Sequence, residues 1–481
     1  MNRRLDQFKR FMRGRKVAVI GIGVSNRPLV HYIAKLGAEI TAFDMADADD
    51  AVLSATMREF ESAGIRLAWS VGPGYMDRLK GFDIVFRTPR MRHDEPALLS
   101  ERERGGIVTS EMEVFMELCP ATLFGITGSD GKTTTTTLTH HFLEEEGHVT
   151  WLGGNIGTPL LDRIDDIEPD HMVVLELSSF QLQSLRRSPD VAVVTNISPN
   201  HLDVHKDYQE YIDAKRNIFL HQSLFGRLVL NRDNYESRSQ ACDARGTVAY
   251  FSRRDAGIPA GAYLQDGMIL YRDGPSDEPE PYLPASEILL PGDHNVENYL
   301  AAIAATRGYV SPDSVARVAR TFRGVEHRLE LVRELSGVRY INSSIDTSPT
   351  RTKAALKALH DRGERVVLIM GGKDKKLDYT GLGDAILTVS RSVVLCGENA
   401  PLIERSLLTA AERRGLLAEV SVAHAATLAE SVRMAQGMAR TGDVVMLSPA
   451  GTSFDQYRNF EERGRAFKEI VRGLLPVEPG S

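Results

Sequence analysis

Residues 124–138, FGITGSDGKTTTTTL, constrain the fold of this chain more than any other stretch. An apolar run leads into a glycine-rich turn, and Lys132 and Thr133 follow where a helix is predicted to start. Such a turn aims backbone N–H groups and a lysine at phosphates, while a hydroxyl beside the lysine can hold Mg²⁺. The stretch therefore predicts a strand, a phosphate loop and a helix, with ATP as the ligand. Its spacing departs from G-x-x-x-x-G-K-[ST]: Ile126 stands where the first glycine belongs, with Gly125 one place early and Gly128 inside the loop. A plain glycine-rich hairpin is the competing reading, but it requires neither the lysine nor the threonine at a strand-to-helix junction.

Such a loop needs a sheet behind it, and 481 residues are too many for one core, so about three domains are predicted. With 42% apolar and 26% charged residues, the composition is that of a globular protein and sets aside disorder and fibre. A net charge of −7 gives no support for nucleic acid as a partner, so anionic ligands must be met by local sites. Residues 17–24 are apolar but short and broken by glycine, unlike a signal or membrane-spanning segment. Cys119, Cys242 and Cys396 are odd in number and far apart, which suits reduced thiols. A cytoplasmic protein with no membrane partner is the expectation.

The first segment reads KVAVIGIGVSNRPLVHYIAKLGAEITAFD, an apolar strand, a Gly21-Ile22-Gly23 turn, a helix and a strand ending at Asp44. This is the pattern of a βαβ nucleotide-binding unit, although Asn26 stands where a Rossmann site wants a third glycine. A tight structural turn explains the glycine pair equally well. Asp44 can accept from a ribose or a base, or be a solvated loop carboxylate. From about Glu113 strands and helices alternate, which predicts a parallel sheet carrying the phosphate loop at its carboxyl edge. Asp266-Gly267 between apolar runs signals a hairpin, read as a small antiparallel insertion. After about Val325, strands at 365–370, 392–396 and 444–447 predict a second doubly wound unit. The fold class is thus α/β with three domains, at 1–112, 113–324 and 325–481.

Glu176 ends the apolar strand MVVLE, where a carboxylate beside a phosphate loop is suited to Mg²⁺. His201 follows NISPN and reads as a metal ligand or as a satisfied structural histidine. Lys215 shares a helical stripe with Tyr208, Tyr211, Ile212, Ile218 and Phe219, the spacing of a buried face. An ammonium there must snorkel, find an anion or lose its charge, and a neutral amine can take up CO₂ as a carbamate. Snorkelling is the default reading from the residues alone.

Together with WLGGNIGTPLL, LELSSFQL, NISPNHLD, YIDAKRNIF, LPGDHNVEN, GVEHRLELV, LIMGGKDKKLDY and LSPAGTSFDQYRNFEERG, these motifs resemble the Mur ligase family over nearly the whole chain. The resemblance implies an ATP-dependent amide ligase of peptidoglycan precursor synthesis, acting on UDP-N-acetylmuramoyl-L-alanine and D-glutamate through an acyl phosphate. It implies two Mg²⁺ ions and, as the expected form, a monomer. By motif, Gly128, Ser129, Asp130, Gly131, Lys132, Thr133 and Thr134 would line the ATP phosphates, with Asn295, Asn298 and Arg328 on the nucleotide. Thr133, Glu176, His201 and a carbamylated Lys215 would hold the metals, and Lys132, Glu176, His201 and Lys215 would be catalytic. Val24, Ser25 and Asp44 would face the uridine diphosphate, and Asn155, Ser178 and Gln181 the muramoyl-alanine. Thr347, Lys375, Ser453 and Phe460 would grip glutamate.

Departures stand out at three places. Ser343 and Ile345 replace an acidic residue and a lysine of the family pattern, and Gly451-Thr452 replaces Cys-Ala. Arg90 replaces a turn glycine, so it is expected either to strain a positive-φ turn or to meet a substrate phosphate. Sister ligases that take L-glutamate or another amino acid, and folylpolyglutamate synthases, would use the same machinery. An NAD-dependent oxidoreductase would leave Lys132 and Thr133 without a role, and a non-catalytic nucleotide-gated module would release no phosphate.

Overall fold

The computed structural model describes residues 2–23, 25–199, 205–254, 257–290, 292–374, 377–453 and 456–476. The chain divides into two compact units, Met1–Phe322 and Arg323–Ser481. Among the described residues the first holds two sheets and the second one.

The first sheet is parallel throughout, in the order Ala68–Val71, Glu39–Asp44, Lys16–Ile20, Ile84–Phe86, Ile107–Thr109. Asn26, at the missing third glycine, is buried and its amide donates to the Ile20 and Gly21 carbonyls at 3.0 and 2.9 Å. A side-chain clasp therefore does what close glycine packing would otherwise do. The chain leaves this sheet through helix Glu111–Leu118, opened by a capping box between Ser110 and Glu113. A single hydrophobic core runs from Val17 and Phe86 through Phe115 and Leu161 to Val194 and Leu230, so the first two sheets share their interior.

The central sheet has nine strands, with Thr122–Thr127 lying between Met172–Glu176 and Val191–Val194. It is parallel from Thr150–Gly154 to Gly261–Gln265 and antiparallel beyond. The predicted hairpin forms with Asp266 and Gly267 at φ 49° and 78°, the left-handed pair that a two-residue turn needs. It continues the main sheet, because Gly261 pairs in parallel with Tyr250. Pro281 and Pro284 sit on the outermost strand, where a missing N–H costs no ladder bond. Helix Lys132–Glu146 follows the phosphate loop despite five consecutive threonines, which are poor helix formers. Several of them are buried, and Thr137 and Thr139 return their hydroxyls to the carbonyls four residues back at 2.8 Å.

The second unit is a six-stranded sheet in the order Glu330–Leu335, Val338–Asn342, Val444–Leu447, Val366–Met370, Ser392–Leu395, Ser421–His424. Among the described residues only its first pair is antiparallel. Arg90 is exposed and is not among the residues with positive φ, so the expected turn strain is absent.

Candidate functional site

Two glycines shape the phosphate loop. Gly128 has φ 152° and Gly131 φ 79°, and a Cβ would meet Thr195 Oγ1 at 1.8 Å in the first case and Asn298 Oδ1 at 2.5 Å in the second. The neighbouring strand Val191–Val194 stops there, and the residues after it are used on the loop instead. Thr195 Oγ1 donates to the Asp130 carbonyl at 2.6 Å, and the Asn196 amide to the same oxygen at 3.1 Å. In return, Ser129 N donates to the Asn196 carbonyl and Asp130 N to Asn196 Oδ1, both at 2.9 Å. Ser129 Oγ is held by Ser198 and by the Tyr211 hydroxyl, 2.9 Å away. Thr195, Asn196 and Tyr211 are loop partners beyond the residues the motifs assign, although the NISPN motif includes Asn196. Asn298 accepts from Thr135 Oγ1 and donates to Asn295 Oδ1, both at 3.2 Å, which brings both asparagines to the loop's helix.

Two lysines converge on one carbonyl. Lys132 Nζ donates to Gly128 O at 2.8 Å and Ser129 O at 2.9 Å, and Lys215 Nζ donates to the same Gly128 O at 2.8 Å and to Thr127 Oγ1 at 3.3 Å. Lys215 is only 2% exposed and lies 4.6 Å over the Tyr211 ring, so the snorkelling expected by default does not occur. Burial, followed by the Lys132 charge, pushes its amine well below the usual lysine range, against the opposing pull of Glu176 and Asp130. Burial thus shifts this amine towards its neutral, nucleophilic form. Glu176 is buried at its strand end; Oε1 accepts from the Asn155 amide at 2.7 Å, while Oε2 is buried with no hydrogen-bond partner among the described residues. A buried carboxylate oxygen left open beside a phosphate loop fits a cation. Among the described residues no three His, Cys, Asp or Glu side chains form a ready metal cluster. Val24, His201 and Lys375 lie outside the described residues.

At the first sheet's carboxyl edge, Asp44 binds its own turn: Oδ2 accepts from Ile22 N at 2.9 Å and Oδ1 from Ala46 N at 3.0 Å. Ser25 stands at the N-terminal cap of helix Asn26–Lys35. Ser178 and Gln181 form a capping box with each other at the start of Ser179–Leu182.

In the second unit, Arg463 is the organising group that sequence reading missed. Buried at 4% exposure, it donates to Ser344 Oγ and O at 3.0 Å and to Gly451 O at 3.2 Å, tying together the loops that carry Thr347 and Ser453. Ser344 Oγ in turn donates to the Phe460 carbonyl at 2.7 Å. Ser343 is fully buried, and its hydroxyl accepts from the N–H of Leu329, a residue at φ 46°. The small hydroxyl at this departure thus serves the packing of the 327–329 turn. Arg328 lies in that turn and is exposed.

A parallel sheet whose loop is pinned by two glycines, with a lysine at the following helix start, defines a P-loop-type nucleotide-binding α/β protein. Residues 126–306 match the Mur ligase middle domain, and residues 327–451 the Mur ligase glutamate ligase domain. The chain belongs to the Mur ligase family. It is 52% identical over 474 residues to the UDP-N-acetylmuramoylalanine–D-glutamate ligase of Acetivibrio thermocellus, covering 98% of this chain and 100% of the relative. The ligase of the same name from Ruminiclostridium cellulolyticum is 49% identical with the same coverage. Among solved structures, the UDP-N-acetylmuramate-alanine ligase MurC of Thermotoga maritima aligns at TM-score 0.54 and 18% identity over 95% of this chain and 99% of that one, a likeness of fold. No helix among the described residues is long and apolar enough to cross a membrane.

Proposed function

We propose that this chain is an ATP-dependent ligase that joins D-glutamate to UDP-N-acetylmuramoyl-L-alanine in peptidoglycan precursor synthesis. The observation that carries the chemistry is the meeting of Lys132 and Lys215 on Gly128 of the glycine-pinned loop, with Glu176 ending the strand paired to the one that enters it. Full-length identity of about half to ligases of that name supports the substrate pair.

The acceptor's alanyl carboxylate is a poor electrophile until one oxygen becomes a leaving group. It attacks the γ-phosphorus of ATP, the bond to ADP breaks, and an acyl phosphate forms. The glutamate amine then attacks the carbonyl carbon, loses a proton, and the tetrahedral intermediate expels phosphate to leave an amide. Lys132, now folded onto its own loop, would turn to the γ-phosphate and neutralise charge developing there. Mg²⁺, held by Thr133, Glu176, His201 and a carbamate on Lys215, would supply further charge neutralisation. The burial that favours the neutral form of Lys215 supports carbamate formation, since only the unprotonated nitrogen attacks CO₂. Asn295, Asn298 and Arg328 would hold the nucleotide; Ser25, Val24 and Asp44 the uridine diphosphate; Asn155, Ser178 and Gln181 the muramoyl-alanine; Thr347, Lys375, Ser453 and Phe460 glutamate. Residues 1–112, 113–324 and 325–481 are the corresponding functional domains in this reading, which describes a cytoplasmic monomer.

The test is phosphate release and product mass with ATP, Mg²⁺ and the UDP-linked acceptor, offered D-glutamate, L-glutamate, L-alanine or meso-diaminopimelate in turn. Turnover with D-glutamate alone is expected. Equal turnover with all four refutes the assigned pocket, and no ATP use with any of them refutes the ligase.

A further inference from the structure

Away from the phosphate loop, four side chains of alternating charge lead from the first sheet's last long loop to the helix that carries Lys215. Lys206 Nζ lies 3.1 Å from Asp94 Oδ2, and Asp94 accepts Arg92 Nε at 2.8 Å and Nη2 at 3.0 Å. Arg92 also grips both oxygens of Glu210, Nη2 to Oε1 at 2.8 Å and Nη1 to Oε2 at 3.1 Å. Arg92 and Glu210 are 24% and 21% exposed, sheltered enough to escape most screening by salt. A two-pronged guanidinium–carboxylate contact fixes orientation as well as distance.

Both ends of the bridge are braced. Arg87, 1% exposed, donates to the carbonyls of Thr88 and Pro89 at 3.4 Å and of Met91 at 2.9 Å, so the loop presenting Arg92 is held from beneath. The same guanidinium reaches Ser184, whose hydroxyl bonds Glu113, and this ties the loop to the central sheet's side. Glu210 sits in the first turn of helix Tyr208–Arg216. Its N–H goes to Asp207 Oδ1 at 2.8 Å, and its carboxylate accepts Lys206 N at 2.7 Å. His205, buried, places Nδ1 3.5 Å from Glu210 Oε2 and Nε2 2.9 Å from Ser179 Oγ, and stacks on Phe180 with centroids 5.4 Å apart. Glu210 therefore fixes the point where the chain enters the helix.

We propose that Arg92 and Glu210 are a positioning pair for the ligase site, holding the helix of Lys215 in register with the phosphate loop from the acceptor-binding domain. This rests on the ligase reading above and extends it to residues to which that reading gives no contact with substrate or nucleotide. At about 1.5 Å per residue, the five steps from Glu210 to Lys215 span about 7.5 Å of rigid helix. A tilt of its first turn is carried straight to the Lys215 contacts with Gly128 and Thr127. Misplacement by about 1 Å at such a site costs on the order of a hundredfold in rate.

The test uses the full chain as wild type, Arg92→Ala, Arg92→Lys, Glu210→Gln and the double variant R92A/E210Q. Phosphate release is followed across Mg²⁺ concentration, acceptor affinity is measured without ATP, and hydrogen exchange is read over residues 208–216. Arg92→Ala and Glu210→Gln are expected to lose about tenfold or more in kcat and to need about tenfold more Mg²⁺, with acceptor Kd within about twofold. The double variant should be no worse than the weaker single, and Arg92→Lys, which keeps charge but loses the fork, should fall between. Folded variants with unchanged kcat and Mg²⁺ requirement, or losses that multiply in the double variant, overturn the pairing. If wild type releases no phosphate with its proposed substrates, the ligase reading fails instead. Exchange over 208–216 then still decides the bridge: at least tenfold faster in Glu210→Gln supports it, and no change overturns it.

Discussion

Replacing Gly128 by alanine tests whether the loop takes its shape from the neighbouring strand end. The new methyl would stand 1.8 Å from Thr195 Oγ1, 3.1 Å from Thr195 Cβ and 3.1 Å from the Asn196 carbonyl. A backbone φ of 152° outside glycine costs about 1–3 kcal/mol. Moving Thr195 aside breaks its hydroxyl bond to Asp130 O and adds about 1 kcal/mol. The sum, about 2–4 kcal/mol, is a large part of the stability of an ordinary domain. In a Thr195→Ala background the nearest hydroxyl is gone and the closest remaining contacts are at 3.1 Å, so only the backbone strain should persist. Gly128→Ala should therefore cost about 1 kcal/mol less there than in wild type. Both tryptophans, Trp69 and Trp151, lie in the unit Met1–Phe322, so tryptophan fluorescence in urea reports this unit without the other. Equal cost in the two backgrounds, or a cost under about 0.5 kcal/mol in wild type, refutes the proposed steric origin.

Glu176→Gln should leave the fold intact, since the amide oxygen still accepts from Asn155, while lowering kcat by at least about a hundredfold and removing the response to Mg²⁺. Near-normal activity would exclude Glu176 as a metal ligand. Lys215→Ala should abolish turnover that added bicarbonate does not restore, whereas short carboxylic acids restore part of it; full activity in this variant removes the carbamate. Glu111, buried and accepting from Leu161 N at 3.2 Å, is pushed up to about 7 by burial and then by Asp162. The folded state thus keeps a proton between pH 4.5 and 7 that the unfolded state releases, so stability falls as pH rises through this window, by at most about 3 kcal/mol. Glu111→Gln should flatten that slope and be the more stable form above pH 7; urea midpoints that keep the wild-type pH dependence would disprove it.

Much of the architecture could be read along the chain because it depends on neighbours a few residues apart. Apolar runs ending at Glu176 and Asp44, the glycine-rich turn that leads into a helix at Lys132, and the Asp266-Gly267 turn are local statements about backbone geometry, and all are present. The family motifs located most of the loop in the same way. What linear reading missed involves partners brought together only by sheet order. Thr195 and Asn196 reach the loop because Val191–Val194 lies beside Thr122–Thr127. Arg463 binds Ser344 from 119 positions away, and Arg92 binds Glu210 across 118. Lys215 illustrates the divide most clearly. Periodicity placed it on a buried face, but the absence of an outlet to solvent, and Lys132 beside it on the Gly128 carbonyl, emerge only once the helix is packed against the loop. Backbone preference is encoded over a turn or two of chain, whereas the electrostatic state of a buried group is set by whichever distant residues the fold brings within a few ångströms.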